Sequence, residues 1–348
     1  MKLFKSLLVA PATLGLLAPL SATANEVTIN DFNAAEEIAV TKSRVDALEA
    51  RLNNFEAGSF SETTSASFGS TFYVGSVENS ATGEATTFSY DFGMDLSTSF
   101  TGEDSLDIAV IGGNASGTAV DDFMGGDGTS DALTLDGVSY TFPLGGATVI
   151  VGDGVGVDDL NTGACAYSAF TDLLSDCGTS NVGGSADSAF AIAYDFDNGF
   201  TLAGGAGGGT GTDGFFTEED ASTIGLEAAY TADTYGVSVA YTDDEATTYW
   251  SVQAMLAPEG YPSLSVGFET DDDDADAIFA GLTFAEVGPG SVSLGMASTD
   301  LSSDDYYQYE LAYSYPLNDG MTITPGVFIK ETSGDDETGV VVTTSFSF

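Results

Sequence analysis

"TFSYDFGMDLSTSF", residues 87–100, alternates without a break. Phe88, Tyr90, Phe92, Met94, Leu96 and Phe100 share one parity, while Ser89, Asp91, Gly93, Asp95, Ser97 and Ser99 share the other. A period of two is the signature of a strand with one apolar and one polar face. The same pattern recurs in "SLDIAVIG" (105–112), "STIGLEAAYT" (222–231), "YGVSVAYT" (235–242), "AIFAGLTF" (277–284) and "MTITPGVFIK" (321–330). It also closes the chain in "ETGVVVTTSFSF" (337–348). About 16 such segments follow Gly58, each near the ~10 residues that a tilted membrane strand needs.

Alternation alone fits a soluble sandwich or a transmembrane barrel. The connections separate them. Odd-to-even connections are long or acidic, among them 114–131, 153–186, "TGTDGFFTEEDA" (210–221), "TDDDDAD" (270–276) and "ETSGDDE" (331–337). Even-to-odd connections are tight turns such as "DFDNG" (195–199), "TADT" (231–234) and "PLNDG" (316–320), rich in Gly, Pro and Asn. In an up-and-down meander each set lies at one end. That asymmetry predicts an all-β fold, a transmembrane antiparallel barrel of about 16 strands.

Composition excludes other classes. The 348 residues carry 54 acids, 6 bases and no histidine, for a formal charge of −48. Such a surface repels phosphate, so no nucleic-acid partner is expected. Without histidine, Ser-His-Asp catalysis and histidine-ligated zinc are unavailable. No acid pair stands out, so neither an enzyme nor a cofactor or metal is expected. "TDDDDAD" could hold calcium loosely through oxygen ligands, but a solvated acidic tip explains it better.

Residues 1–24 have the positive start, apolar stretch and Ala22-Thr23-Ala24 site of a cleaved signal peptide. In 25–57, Ile38, Val45, Leu48, Leu52 and Phe55 fit a heptad, which predicts a short self-associating coiled coil. Residues 58–348 form the barrel domain. Cys165 and Cys177 are the only cysteines, and in an exported chain they predict one disulfide.

Inside strands, Asp91, Asp95, Asp107, Asp195, Glu227, Glu269, Glu310 and Lys330 lie opposite in parity to the large apolar residues, so they are expected to face the lumen. Connection 153–186 exceeds the ~12–15 residues usual for an unstructured loop. It is expected to constrict the lumen with Asp158, Asp159, Asp172 and Asp176, and its "AYSAFTDLLSD" has helical spacing at Phe170, Leu173 and Leu174. A loop lying over the mouth is the other reading.

"MKLFKSLLVAPATLGLLAP" (1–19), "VDALEARLNNFEAGSFSETTSASFG" (45–69), "VSYTFPLGGATVIVGDG" (138–154) and "YDFDNGFTLAGG" (194–205) resemble the cyanobacterial outer-membrane porins, relatives of the carbohydrate-selective porins. The resemblance implies a homotrimeric diffusion channel for small solutes, in contact with outer-membrane lipid, with the coiled coil in the periplasm of a Gram-negative-type bacterium. The 47 acids against the single base Lys330 after Gly58 are expected to favour cations in such a pore. It also implies a role for Phe346 and Phe348 as the signal read by the barrel-assembly machinery. Members of that family usually carry an S-layer-homology domain ahead of the coiled coil. The stretch "NEVTINDFNAAEEIA" (25–39) is too short for one. Substrate-biased uptake of carbohydrate or iron, and a structural barrel with a plugged lumen, are the alternatives to a general pore.

Overall fold

The computed structural model describes residues 64–183, 188–209, 221–273, 275–298 and 306–348, together with residues 42 and 216. The chain divides into two units, Met1–Glu62 and Thr63–Phe348, and the second holds every strand among the described residues. The signal-peptide and heptad readings, including Ile38, Val45, Leu48, Leu52 and Phe55, lie outside the described residues.

Sixteen strands alternate direction along the chain. They are β1 (Thr64–Glu78), β2 (Thr87–Thr98), β3 (Ser105–Gly113), β4 (Thr134–Leu144), β5 (Ala147–Asp153), β6 (Ser188–Asp195), β7 (Phe200–Gly208) and β8 (Ser222–Thr231). Then come β9 (Tyr235–Asp243), β10 (Thr248–Leu256), β11 (Ser263–Asp271), β12 (Asp276–Val287), β13 (Gly290–Ser298), β14 (Tyr307–Asn318), β15 (Met321–Lys330) and β16 (Glu337–Ser347). Each pairs antiparallel with its neighbours in sequence, and β1 pairs with β16 to close the barrel. Closure leaves no unpaired edge, which is what a sheet needs where no water can satisfy its backbone.

The seam runs from Gly69↔Ser347 to Glu78↔Thr338. It extends one residue further, where Phe68 and Phe348 exchange backbone hydrogen bonds of 2.8 and 3.0 Å. Their rings stack at 5.6 Å, and Phe346 meets Phe72 edge-on at 5.9 Å.

Burial is inverted relative to a water-soluble protein. Phe88 and Leu226 point outward and are 61% and 54% exposed, while Glu269, Glu310 and Glu227 point inward and are 0%, 2% and 5% exposed. The outward belt of Val, Ile, Leu and Phe needs an apolar solvent. Aromatic pairs mark its two rims. Tyr140–Phe142, Tyr194–Phe196, Phe200–Tyr230 and Tyr313–Tyr315 lie toward the short-turn end, and Tyr241–Trp250 and Tyr307–Tyr309 toward the long-loop end. Rings of this kind suit the two interfaces of a bilayer, apolar on one side and wet on the other.

The β3–β4 connection carries a short helix, α1 (Ala119–Met124). Thr118 caps it by accepting the Asp121 N–H, and Gly125 ends it in the left-handed region at φ 64°, where a Cβ is strained. Ala119, Val120 and Phe123 pack among Val77, Phe328 and Val341 of the inner wall, together with Phe170. Phe123 and Phe328 lie 4.2 Å apart.

Candidate constriction inside the barrel

The long β5–β6 connection enters the barrel instead of lying over its mouth. Val157 near its start packs on Gly225 of β8, and Leu174 and Cys177 pack on Phe279 of β12 and Ala297 of β13. The expected helix is not continuous. Asp172–Gly178 is 3-10 helical but is broken by non-helical dihedrals at Ser175, Asp176 and Cys177. The reason lies next to it. Cys177 is bonded to Cys165 with a Cα–Cα distance of 5.9 Å, and Gly178 abuts Phe279, so the segment follows the wall and the crosslink rather than its own helical spacing.

Three wall carboxylates hold the loop. On β8, Glu227 accepts the backbone N–H groups of Thr162 at 2.6 Å and Gly163 at 2.8 Å. On β11, Glu269 accepts from Asn181 Nδ2 at 2.6 Å and the Val182 N–H at 3.2 Å. On β14, Glu310 accepts from the Tyr167 hydroxyl, the Phe170 N–H and the Thr171 N–H, each at 2.8 Å, and from Thr171 Oγ1 at 2.5 Å. Between them Gln253 of β10 accepts the Ala164 N–H and donates to the Asp176 carbonyl and Thr179 Oγ1. Ser265 accepts the Ala166 N–H at 2.8 Å, and Thr242 donates to the Val182 carbonyl. Backbone donors replace the water that burial has stripped from each carboxylate.

The strands leave room for this contact with glycine. A Cβ at Gly225, Gly267, Gly281, Gly295 or Gly326 would collide with Val157, Cys177, Tyr167 or Phe170 of the loop.

The residues expected to face the lumen therefore divide in two. Glu227, Glu269 and Glu310 point inward as their parity requires, but the loop covers them and leaves each almost fully buried. Asp91 is half-buried and accepts from the Tyr73 hydroxyl and from the Asp127 N–H at 2.9 Å. Asp95 and Asp195 are exposed and Asp107 is half-buried; all three sit toward the short-turn end. Lys330 ends β15 at the long-loop end.

Among the loop acids, Asp159, Asp172 and Asp176 are exposed and Asp158 is half-buried. Asp158, Asp176 and Glu227 share a polar cavity of about 250 Å3. Burial pushes the carboxyl of Asp158 above the usual carboxylate range, and the nearby Asp176 charge adds to this. Partial desolvation raises Asp159 too, although much of its side chain is exposed; the Gly156 N–H opposes the shift and the Asp158 charge adds to it. Among the described residues, no group of three or more His, Cys, Asp and Glu is arranged to hold a metal ion.

Sequence reasoning missed α1. Its signal was present, since "TAVDDFM" places Ala119, Val120 and Phe123 on one helical face behind a capping threonine, inside an otherwise acidic connection.

Solved porins share this architecture. The outer-membrane porin OprB of Pseudomonas putida superposes with a TM-score of 0.63 over 82% of this chain and 94% of its own, at 12% identity. A mutant Rhodobacter blastica porin gives 0.59 over 82% and 100%, at 16% identity. The loop-deleted OmpT of Vibrio cholerae gives 0.61 over 82% and 100%, at 13% identity. The fold is a porin-type barrel. In sequence, an uncharacterized Nostoc sp. protein is 32% identical over 159 residues, 41% of this chain. The match spans about a quarter of that relative's length, 27%. No protein-family model matches.

Proposed function

We propose that the chain forms a water-filled outer-membrane channel through which small hydrophilic solutes and inorganic ions diffuse, with a preference for cations. The observation that carries this is an internal loop anchored to the barrel wall with its acids Asp159, Asp172 and Asp176 still exposed. A loop anchored on the inner wall narrows the path, while Asp95 and Asp195 toward the short-turn end remain exposed. From Gly58 onward the chain has 47 acids, 7 of the 54 lying before it, and one base, Lys330. Charge of one sign in a low-dielectric tube concentrates the opposite ion and repels its own. At physiological salt, screening over ~8 Å makes this a bias and not an absolute filter.

In this reading the protein resides in the outer membrane as a homotrimer, with residues 25–57 as a periplasmic coiled coil. A plugged structural barrel is the second reading, supported by the apolar cluster that α1 and Phe170 form inside. Planar-bilayer recording decides between them. Stepwise conductance with a cation-signed reversal potential in a salt gradient is the expected outcome. A folded, membrane-inserted protein with no conductance would mean a plugged barrel.

A further inference from the structure

Lys330 is the single base from Gly58 to the end of the chain, and it stands in a cavity of about 380 Å3 at the long-loop end. Three acids share that cavity: Asp122 of α1, Asp172 of the internal loop and Glu337 of β16. The cross-strand partners of Lys330 are Gln308 on one side and Glu337 on the other, which places their Cβ atoms within ~4.5–5.5 Å. Lys330 Nζ lies 5.5 Å from the ring centre of Phe123, and Leu173 adds a second apolar patch. Thr82 Oγ1 donates to Asp122 at 3.2 Å, and Gln308 Nε2 donates to Thr171 at 2.7 Å, so the two flanks are fixed. The volume lies within the ~300–1,000 Å3 of small-molecule clefts.

The mixture of charges selects among ligands. A simple anion gains Lys330 but meets three carboxylates. A diamine gains carboxylates at one end and is repelled by Lys330 at the other. A neutral solute finds hydrogen bonds only. A solute bearing both an ammonium and a carboxylate satisfies both signs, and its methylenes lie against Phe123 and Leu173. We propose that this cavity binds small zwitterions, the carboxylate on Lys330 and the ammonium among Asp122, Asp172 and Glu337. The inference rests on the channel reading for how solutes arrive, but binding can be measured without conduction.

The test uses three four-carbon probes with folded protein in detergent: γ-aminobutyrate as zwitterion, putrescine as dication and butanediol as neutral control. Calorimetry reads binding to wild type, Lys330→Met and Asp172→Asn, each first shown to be folded by its heat-modifiable gel migration. Lys330→Met keeps the aliphatic stem beside Phe123 and removes the charge. Wild type should bind γ-aminobutyrate above butanediol. Lys330→Met should weaken γ-aminobutyrate about tenfold, the equivalent of ~1.4 kcal/mol, and strengthen putrescine. Asp172→Asn should weaken both. No preference for γ-aminobutyrate over butanediol in wild type would overturn the proposal, as would γ-aminobutyrate binding that is unmoved or strengthened by Lys330→Met. Failure of the channel reading is read separately, as absent butanediol permeation in liposomes with binding intact.

Discussion

Replacing Glu310 tests whether wall carboxylates hold the internal loop. Its two oxygens accept four hydrogen bonds from the loop, two of them from the backbone N–H groups of Phe170 and Thr171. In Glu310→Ala both N–H groups lose their acceptor at a buried position. Each orphaned donor costs roughly 1–3 kcal/mol, so the pair costs about 2–6 kcal/mol. Part is offset, because the variant no longer buries a carboxylate that has no base beside it. The lower figure, ~2 kcal/mol, corresponds to a roughly 30-fold rise in the detached population of that segment. The amides of Thr162 and Gly163 answer to Glu227 and the disulfide still ties Cys165 to Cys177, so the rest of the loop stays docked. Hydrogen exchange on the folded protein is the assay. Protection should fall at Phe170 and Thr171 by at least an order of magnitude and hold at Thr162 and Gly163. Glu310→Gln, which keeps the volume and one carbonyl oxygen, should lie between. Unchanged protection at Phe170 and Thr171, or equal loss at all four amides, would refute the anchoring argument.

Asp172→Asn with Asp176→Asn should lower the cation preference measured by reversal potential, most at ~0.01 M salt where the screening length reaches ~30 Å. The external-tip changes Asp272→Asn and Asp273→Asn should do less, and the reverse order would put the constriction elsewhere. Acidification should erode the preference before ordinary carboxylates titrate. Burial raises Asp158 and Asp159, and a raised carboxylate becomes neutral at higher pH than its usual ~4. A preference constant from pH ~7 down to ~4 would contradict this. Removing the crosslink by Cys165→Ala and Cys177→Ala should loosen the segment between them, by up to ~3 kcal/mol in the chain-entropy picture. Faster exchange at the amides of Ala166 and Leu174, with barrel amides unaffected, is the expected readout. Phe348→Ala removes the stacking on Phe68, worth ~0.5–1.5 kcal/mol beyond its area. If Phe348 is also an assembly signal, folded yield in cells should fall further than refolding yield in detergent, and an equal fall would leave only the packing role.

The barrel was legible because two periods are written plainly in the chain. Side chains alternate across each strand, and connections alternate between long acidic loops and tight turns. Both are local properties, and no distant contact is needed to read them. Burial inside the lumen was not legible in the same way. Parity assigns Glu227, Glu269 and Glu310 to the inner face, but it says nothing of what covers that face. The covering loop is remote in sequence, with Thr171 and Glu310 separated by 139 residues. The glycines opposite the loop carried a partial signal, since Gly225, Gly267, Gly281 and Gly295 fall at inward positions in strands where β-branched residues are favoured. The spacing of Phe170, Leu173 and Leu174 promised a helix, and the crosslink and the wall reshaped it.

The glycine bed of the loop gives the passage an adjustable diameter. Because the loop lies almost on the backbone of the wall, each methyl group added at Gly267 or Gly295 acts as a shim. It would push the loop toward the axis by about its own thickness while leaving every loop residue unchanged. The aperture is thus tuned from behind the element that forms it. A lineage could resize the passage for a larger or smaller traffic through the wall positions alone, with the loop's own acids left unsubstituted.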